Sequence, residues 1–131
     1  MKKLCSSLFI LVLVASCGQT QENSMKEFDP NFAHTVYFWL KNPDSQEDRK
    51  AFETSLGKFL ENSDFAKTKF IGAPPRASRD VVDGSFTYSL IVTFESAEAQ
   101  KSYQDEAPHK LFINESENLW SKVIVYDSTS I

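Results

Sequence analysis

The spacing of hydrophobic positions along the chain predicts most of its secondary structure. Residues 32–40 are dense in aromatic and β-branched side chains on both alternating faces, which predicts a strand that is covered on both sides. Asp44 or Ser45 can cap the helix that follows, and Asn62 and Ser63 end it. The apolar stripe of this helix has helical spacing and consists of Phe52, Leu56, Phe59 and Leu60.

The second half of the chain is predicted to contain three further strands and a helical region in two parts. Their bounds are strands 65–72, 85–95 and 120–127, and helices from Ser96 to about Asp105 and from about Pro108 to Asn118. The inner side of the last helix is predicted to carry Leu111, Phe112, Glu115 and Leu119. The resulting order, β-α-β-β-α-β, is that of an α+β ferredoxin-like fold.

A single sheet with helices on one face leaves its other face bare. The strands at 32–40 and 85–95 carry apolar side chains on both faces, so a second sheet is expected to pack there. The simplest source of that sheet is a second copy of the chain. We therefore expect a homodimer that forms through the sheet face.

The N-terminal segment has a different pattern from the rest. Lys2 and Lys3 precede a nearly unbroken apolar run over 4–15, which is typical of a secretory signal and too short to span a membrane. The small residues that end the run, just before Cys17, resemble a bacterial lipobox. Residues 1–16 are then a lipoprotein signal peptide, and Cys17 is lipidated and anchors the chain to a membrane.

This interpretation of the N-terminal segment divides the chain into regions and predicts where in the cell the protein lies. Residues 17–31 are expected to be the lipidated Cys and a flexible tether, 32–128 the folded domain and 129–131 a short tail. Gly18 follows the lipidated Cys, which favours the outer membrane of the bacterial cell envelope. Because Cys5 leaves with the signal and Cys17 carries lipid, no thiol remains for a disulfide or for catalysis.

Charge narrows the choice of partners. The chain has 14 basic and 18 acidic residues and a formal charge of -4, and loss of Lys2 and Lys3 leaves 12 basic residues and a charge of -6. Such a balance argues against nucleic-acid binding, which needs an excess of cations. The two histidines, His34 and His109, lack the spacing of a metal site, and no P-loop or dinucleotide fingerprint occurs, so neither a metal nor another cofactor is expected.

Several stretches resemble the stress-responsive A/B barrel domain, or Dabb, a family of dimeric ferredoxin-like barrels. They are the sequence from His34 to Phe38, the sequence from Val92 to Ala99, Tyr103 followed six residues later by His109, and the sequence from Val123 to Asp127. The likeness covers residues 32–128. The resemblance implies a dimeric α/β barrel. It also implies that an enzyme of this kind needs no cofactor, because a plant polyketide cyclase of the family works without one.

The resemblance also implies site residues. The cyclase uses a Tyr and a His spaced as Tyr103 and His109 are, with a pocket His at the position of His34. A further pocket His of the cyclase is replaced by Tyr88, and the usual His-Pro-Ala-His becomes Glu-Ala-Pro-His, ending at His109. His109 and Tyr103 are thus the candidate catalytic residues, and His34 and Tyr88 the candidate ligand contacts.

Three functions remain open at this point. The first is a stress-related module that binds a small apolar molecule. The second is a cofactor-independent enzyme, such as a cyclase, isomerase or monooxygenase, in which His109 is the base and Tyr103 the hydrogen-bond donor. The third is a structural or protein-interaction role in which side chains fill the pocket.

Overall fold

In a computed structural model the described residues are 31–76 and 79–131. The predictions for residues 1–30, including the signal peptide and the lipidation of Cys17, lie outside the described residues. The elements are β1 (Phe32–Leu40), α1 (Gln46–Asn62), β2 (Thr68–Gly72), β3 (Tyr88–Phe94), α2 (Ala97–Asp105), α3 (Ala107–Ser116) and β4 (Trp120–Thr129). This is the predicted β-α-β-β-α-β order with the second helical region in two parts, so the ferredoxin-like fold is confirmed.

Local capping contacts set where the helices begin. Ser45, rather than Asp44, caps α1, because its hydroxyl accepts a hydrogen bond from the Asp48 amide at 3.2 Å. Ser96 caps α2 in the same way through the Ala99 amide, also at 3.2 Å. α3 has no side-chain cap and begins with Pro108 in its first turn, where the missing amide hydrogen has no cost. None of the described helices is both long and apolar enough to span a membrane.

The four strands form one antiparallel sheet in the order β2-β3-β1-β4. β1 is one of the two inner strands. Buried and half-buried residues alternate along it, and this alternation distinguishes the two faces of the sheet. The buried face packs on the helices: Phe38 contacts Phe52 of α1 and Phe112 of α3, and Phe94 contacts Tyr103 of α2. The predicted stripe of α1 is fully within this core.

The orientation of α3 differs from the sequence prediction. Phe112 is buried as expected, but Leu111 is 51% exposed and Glu115 is also exposed, so their inward assignment was wrong. Ser116 is buried instead, four residues beyond Phe112. Glu115 accepts a hydrogen bond from the Ser55 hydroxyl of α1 at 2.6 Å, and this contact accounts for a charged side chain at the edge of the helix pair.

The second face of the sheet is covered by none of the described helices and is rich in aromatic groups. The Tyr37 ring lies 4.8 Å from that of Phe86 and 6.2 Å from that of Tyr126. Tyr126 is 60% exposed, and Phe70 of β2 is exposed on the same face. An apolar face of this kind is typical of an interaction surface.

Candidate functional site

His34 lies on the helix-covered face of β1 and is 6% exposed. The β1–β4 register places it opposite Asp127, and its Nδ1 atom lies 2.6 Å from Oδ1 of Asp127. When Asp127 is ionised its carboxylate only accepts hydrogen bonds, so Nδ1 of His34 carries a proton and donates it to this contact. In the neutral ring the other nitrogen, Nε2, is then the acceptor.

Tyr103 comes from α2 and is 1% exposed. Its ring centroid lies 4.8 Å from that of Phe94 and 5.9 Å from that of His34. Burial, helped by the negative charge of Glu106, raises the pKa of Tyr103 well above its ordinary value of 10.0. The phenol therefore stays protonated over the physiological range and can donate a hydrogen bond.

His109 lies in the first turn of α3, directly after Pro108. Its Nδ1 atom lies 3.1 Å from the backbone carbonyl oxygen of Gln104. A carbonyl can only accept, so Nδ1 carries the proton and Nε2 of the neutral ring holds the free lone pair. Burial lowers the pKa of His109 below its ordinary 6.5, and the hydrogen bond to Gln104 only partly opposes this effect. His109 is therefore neutral at pH 7 and can act as a base.

The three side chains meet at one cavity. The Tyr103 and His109 ring centroids are 5.2 Å apart, and His34 contacts the Tyr103 ring. The cavity lies between the sheet and the helices and measures about 200 Å³. Its apolar lining residues are Val36, Phe38, Phe59, Leu90, Phe112, Ile113, Trp120, Val123 and Val125. The site is thus a small apolar chamber with polar groups at a few points, as is usual for small-molecule sites.

Tyr88 is not among the residues that line this cavity. It pairs with Phe38 on β1. Phe38 lies four positions beyond His34, so Tyr88 is displaced from His34 by about 13 Å along the strand direction. Its hydroxyl donates a hydrogen bond to Glu53, and its ring stacks on Phe52 at 5.0 Å. Burial, followed by the hydrogen bond to Glu53, raises the pKa of Tyr88 to about 12. The structure therefore brings together His34, Tyr103 and His109, and places Tyr88 in a separate contact with α1.

The sequence analysis missed two polar residues of the site. Gln104 lines the cavity and fixes His109 through its backbone, and Asp127 fixes His34. Asp127 could have been found from alternation, because Val123, Val125 and Asp127 lie on the same side of β4. Within residues 31–76 and 79–131, no group of three or more His, Cys, Asp or Glu side chains is placed to hold a metal ion.

Solved structures of other proteins share this fold. A hydroxynitrile lyase from Passiflora edulis is 22% identical, with a TM-score of 0.65 over 79% of this chain and 96% of that one. A Dabb family protein from Mesorhizobium loti is 19% identical, with a TM-score of 0.64 over 76% and 96% of the two chains. A dimeric ferredoxin-like protein from Thermobifida fusca is 13% identical, with a TM-score of 0.62 over 76% and 91%.

These identities are low, so the likeness establishes the fold that the chains share. No curated protein matches the sequence. The stress-responsive A/B barrel domain matches residues 32–130, which includes every strand and helix described above. The family that the residue patterns indicated is thereby confirmed: the chain belongs to the stress-responsive A/B barrel domain, or Dabb, family.

Proposed function

We propose that the cavity binds a small apolar carbonyl compound and that His109 and Tyr103 transfer a proton on it without a cofactor. The observation that carries this proposal is the orientation of His109. Its Nδ1–H is held by the Gln104 carbonyl oxygen at 3.1 Å, so its basic Nε2 makes no hydrogen bond among the described residues, and the Tyr103 ring lies next to the imidazole. A base and a donor side by side in an apolar chamber suit proton abstraction next to a carbonyl group.

The proposed step begins with Nε2 of His109, which takes a proton from the carbon next to the substrate carbonyl. The C–H electron pair forms the new C=C bond, and the carbonyl π pair moves onto oxygen. The resulting enolate oxygen accepts a hydrogen bond from Tyr103, whose raised pKa keeps it in the donor form. If the substrate has a C=C bond in conjugation with the enolate, return of the proton from His109 to the far end of that dienolate gives an isomer. Attack of the enolate carbon on a second carbonyl of the same molecule instead forms a ring, and the alkoxide oxygen of that second carbonyl takes the proton from His109.

His34 has a supporting part in this proposal. Asp127 holds Nδ1–H of His34 at 2.6 Å, which fixes the tautomer and leaves Nε2 as a hydrogen-bond acceptor. The ring also packs on Tyr103, with centroids 5.9 Å apart. We infer that the pair of His34 and Asp127 positions Tyr103 and the substrate rather than abstracting the proton itself.

Similar proteins support the proposal through the fold that they share with this chain. The Passiflora edulis protein of this fold is a hydroxynitrile lyase, so the fold is compatible with enzymes. A second candidate, binding of a small apolar molecule without turnover, is favoured by the mostly apolar lining of the cavity. The two candidates differ in one measurable respect, which is proton exchange on the bound compound.

We further propose a location and an assembly. Cys17 carries lipid and holds the protein at the bacterial cell envelope, with the outer membrane favoured by Gly18. The exposed aromatic face of the sheet, with Phe70 and Tyr126, pairs with the same face of a second copy and forms the dimeric barrel. The Thermobifida fusca protein of similar fold, which is described as dimeric, supports this assembly.

The test is hydrogen–deuterium exchange on small ketones in D₂O, followed by proton NMR. The protein is expected to speed exchange at the carbon next to the carbonyl, and His109→Ala to lower that rate by about 10² or more. Lys101→Ala is the control, because Lys101 is an exposed residue of α2 that does not line the cavity. Exchange no faster than in buffer contradicts proton transfer. If ketones still bind, the second candidate stands.

If no small apolar compound binds, the cavity has no ligand role and the third function, a structural or protein-interaction module, becomes the better account. Circular dichroism of the variants must match that of the parent protein, so that a lost rate is not confused with a lost fold.

A further inference from the structure

A second depression lies on the outside of the molecule, between α1 and α3. It measures about 360 Å³ and is separate from the cavity that holds the two histidines. Its lining includes Ser55, Lys58, Asn62, Pro108, Leu111 and Glu115. Leu111 gives this outer groove an apolar surface, because the residue is 51% exposed.

Two aromatic residues belong to both spaces. Phe59 of α1 and Phe112 of α3 line the inner cavity and also the outer groove. Their rings are nearly parallel, with planes 14° apart and centroids 5.4 Å apart, and each residue is 3% exposed. The pair is therefore a wall one side chain thick between the candidate site and the surface groove.

This wall touches the groups that the proposed chemistry uses. The Phe59 ring centroid lies 5.0 Å from that of Tyr103 and 5.1 Å from that of His109. Phe112 is held from behind by Trp120 at 5.7 Å and Phe38 at 6.2 Å. Each ring is thus packed against neighbours on several sides, which resists its displacement by a ligand.

We infer that Phe59 and Phe112 determine the specificity of the site by limiting the length of its ligand. This inference rests on the proposed carbonyl ligand. The inner cavity of about 200 Å³ is smaller than the usual range of about 300–1,000 Å³ for ligand pockets. The substrate class is therefore a short-chain or single-ring carbonyl compound.

The position of Phe59 and Phe112 also predicts how the cavity changes when one of these side chains is removed. Without one of the two rings, we expect the inner cavity to open into the outer groove, which itself measures about 360 Å³ and lies within the usual range for ligand pockets. The apolar tail of a longer compound can then pass between α1 and α3 and contact Leu111. Its carbonyl group stays beside Tyr103 and His109.

Binding of linear methyl ketones from four to twelve carbons tests the inference, with NMR titration as the measurement. For the parent protein the affinity rises about fourfold with each added CH₂ and then falls beyond about eight carbons. Phe112→Ala moves this limit upward by several carbons. Phe112→Leu and Phe59→Leu, which keep more of the core, move it in the same direction by less.

Leu111→Ala is the matched control, since Leu111 lines only the outer groove, and it leaves the limit of the parent protein in place. Affinity that keeps rising to twelve carbons in the parent protein overturns the inference. A limit that does not move in the folded Phe59→Leu and Phe112→Leu variants also overturns it. A chain-length limit without proton exchange rejects the proposed catalysis and keeps the inference, whereas no ketone binding rejects both.

Discussion

Nδ1 of His34 and Oδ1 of Asp127 are 2.6 Å apart although the two residues are 93 positions apart in the chain. The contact joins the central strand to an edge strand at the wall of the cavity. His34 is buried, while the Asp127 side chain is 43% exposed. The carboxylate thus reaches the imidazole from the solvent side and decides which ring nitrogen carries the proton.

Replacement of this carboxylate is expected to slow proton exchange without abolishing it. A hydrogen bond to a charged group contributes about 1.5–3 kcal/mol, and the exposure of Asp127 places the effect at the lower end. Since about 1.4 kcal/mol corresponds to tenfold in rate, Asp127→Ala should lower the exchange rate about tenfold. Ser128→Ala, on the opposite face of β4, is the control and should leave the rate unchanged.

A second readout separates positioning from general stability. Nitrogen NMR of the imidazole should report a single Nδ1–H tautomer for His34 in the parent protein and a mixture in Asp127→Ala. An unchanged tautomer together with an unchanged rate would contradict the positioning role.

The exchange rate should depend on pH in a way that follows from two shifted pKa values. The base must be neutral, and the pKa of His109 lies below its ordinary 6.5, so the rate rises with pH along a curve whose midpoint lies below pH 6.5. The donor must be protonated, and the raised pKa of Tyr103 keeps the rate on its plateau beyond pH 10. Rates measured from pH 4.5 to 10.5 check this, and a midpoint above 6.5 would contradict the assignment of His109 as the base.

The lowered pKa of His109 should also make the free energy of unfolding depend on pH. Because the folded state holds the pKa of His109 below its unfolded value of 6.5, the unfolded chain binds the proton first as pH falls. The free energy of unfolding of the parent protein, relative to His109→Gln, should therefore fall from pH 7 to pH 5 and be constant above pH 7. Urea unfolding of both proteins at matched pH measures this difference, and a difference that grows in acid would be opposite to expectation.

The proposed dimer can be broken through one residue of the open sheet face. Tyr126 is 60% exposed and contacts Tyr37, so Tyr126→Glu would place a charge inside the interface. We expect the dimer to weaken at least about 100-fold in sedimentation velocity. Leu111→Glu is the matched control, because Leu111 is similarly exposed but lies on the helix side. Equal weakening by both changes, or a monomeric parent protein, would contradict assembly through the sheet.

The lipid anchor can be tested by replacing each of the two cysteines with serine. Labelled palmitate should enter the parent protein and Cys5→Ser, since Cys5 is expected to leave with the signal peptide. Cys17→Ser should incorporate no label and should move from the membrane fraction to the soluble fraction. Label that remains in Cys17→Ser would remove the anchor from the proposal.

The sequence by itself determined the order of strands and helices, the cap at Ser96 and the inward stripe of α1. Each of these depends on residues a few positions apart, so the spacing of side chains specifies them directly. The likeness around Tyr103 and His109 also pointed to two rings that share a cavity, because the five residues between them cross only the junction of α2 and α3.

Only the tertiary structure decided which distant residues complete the site. The register of β4 on β1 put Asp127 beside His34, and the position of Tyr88 on β3 put it beside Glu53 rather than in the cavity. The packing of α3 turned Phe112 inward and Leu111 outward, which made the wall with Phe59. Strand register and helix rotation depend on the fit between whole surfaces, which no local pattern in the sequence contains.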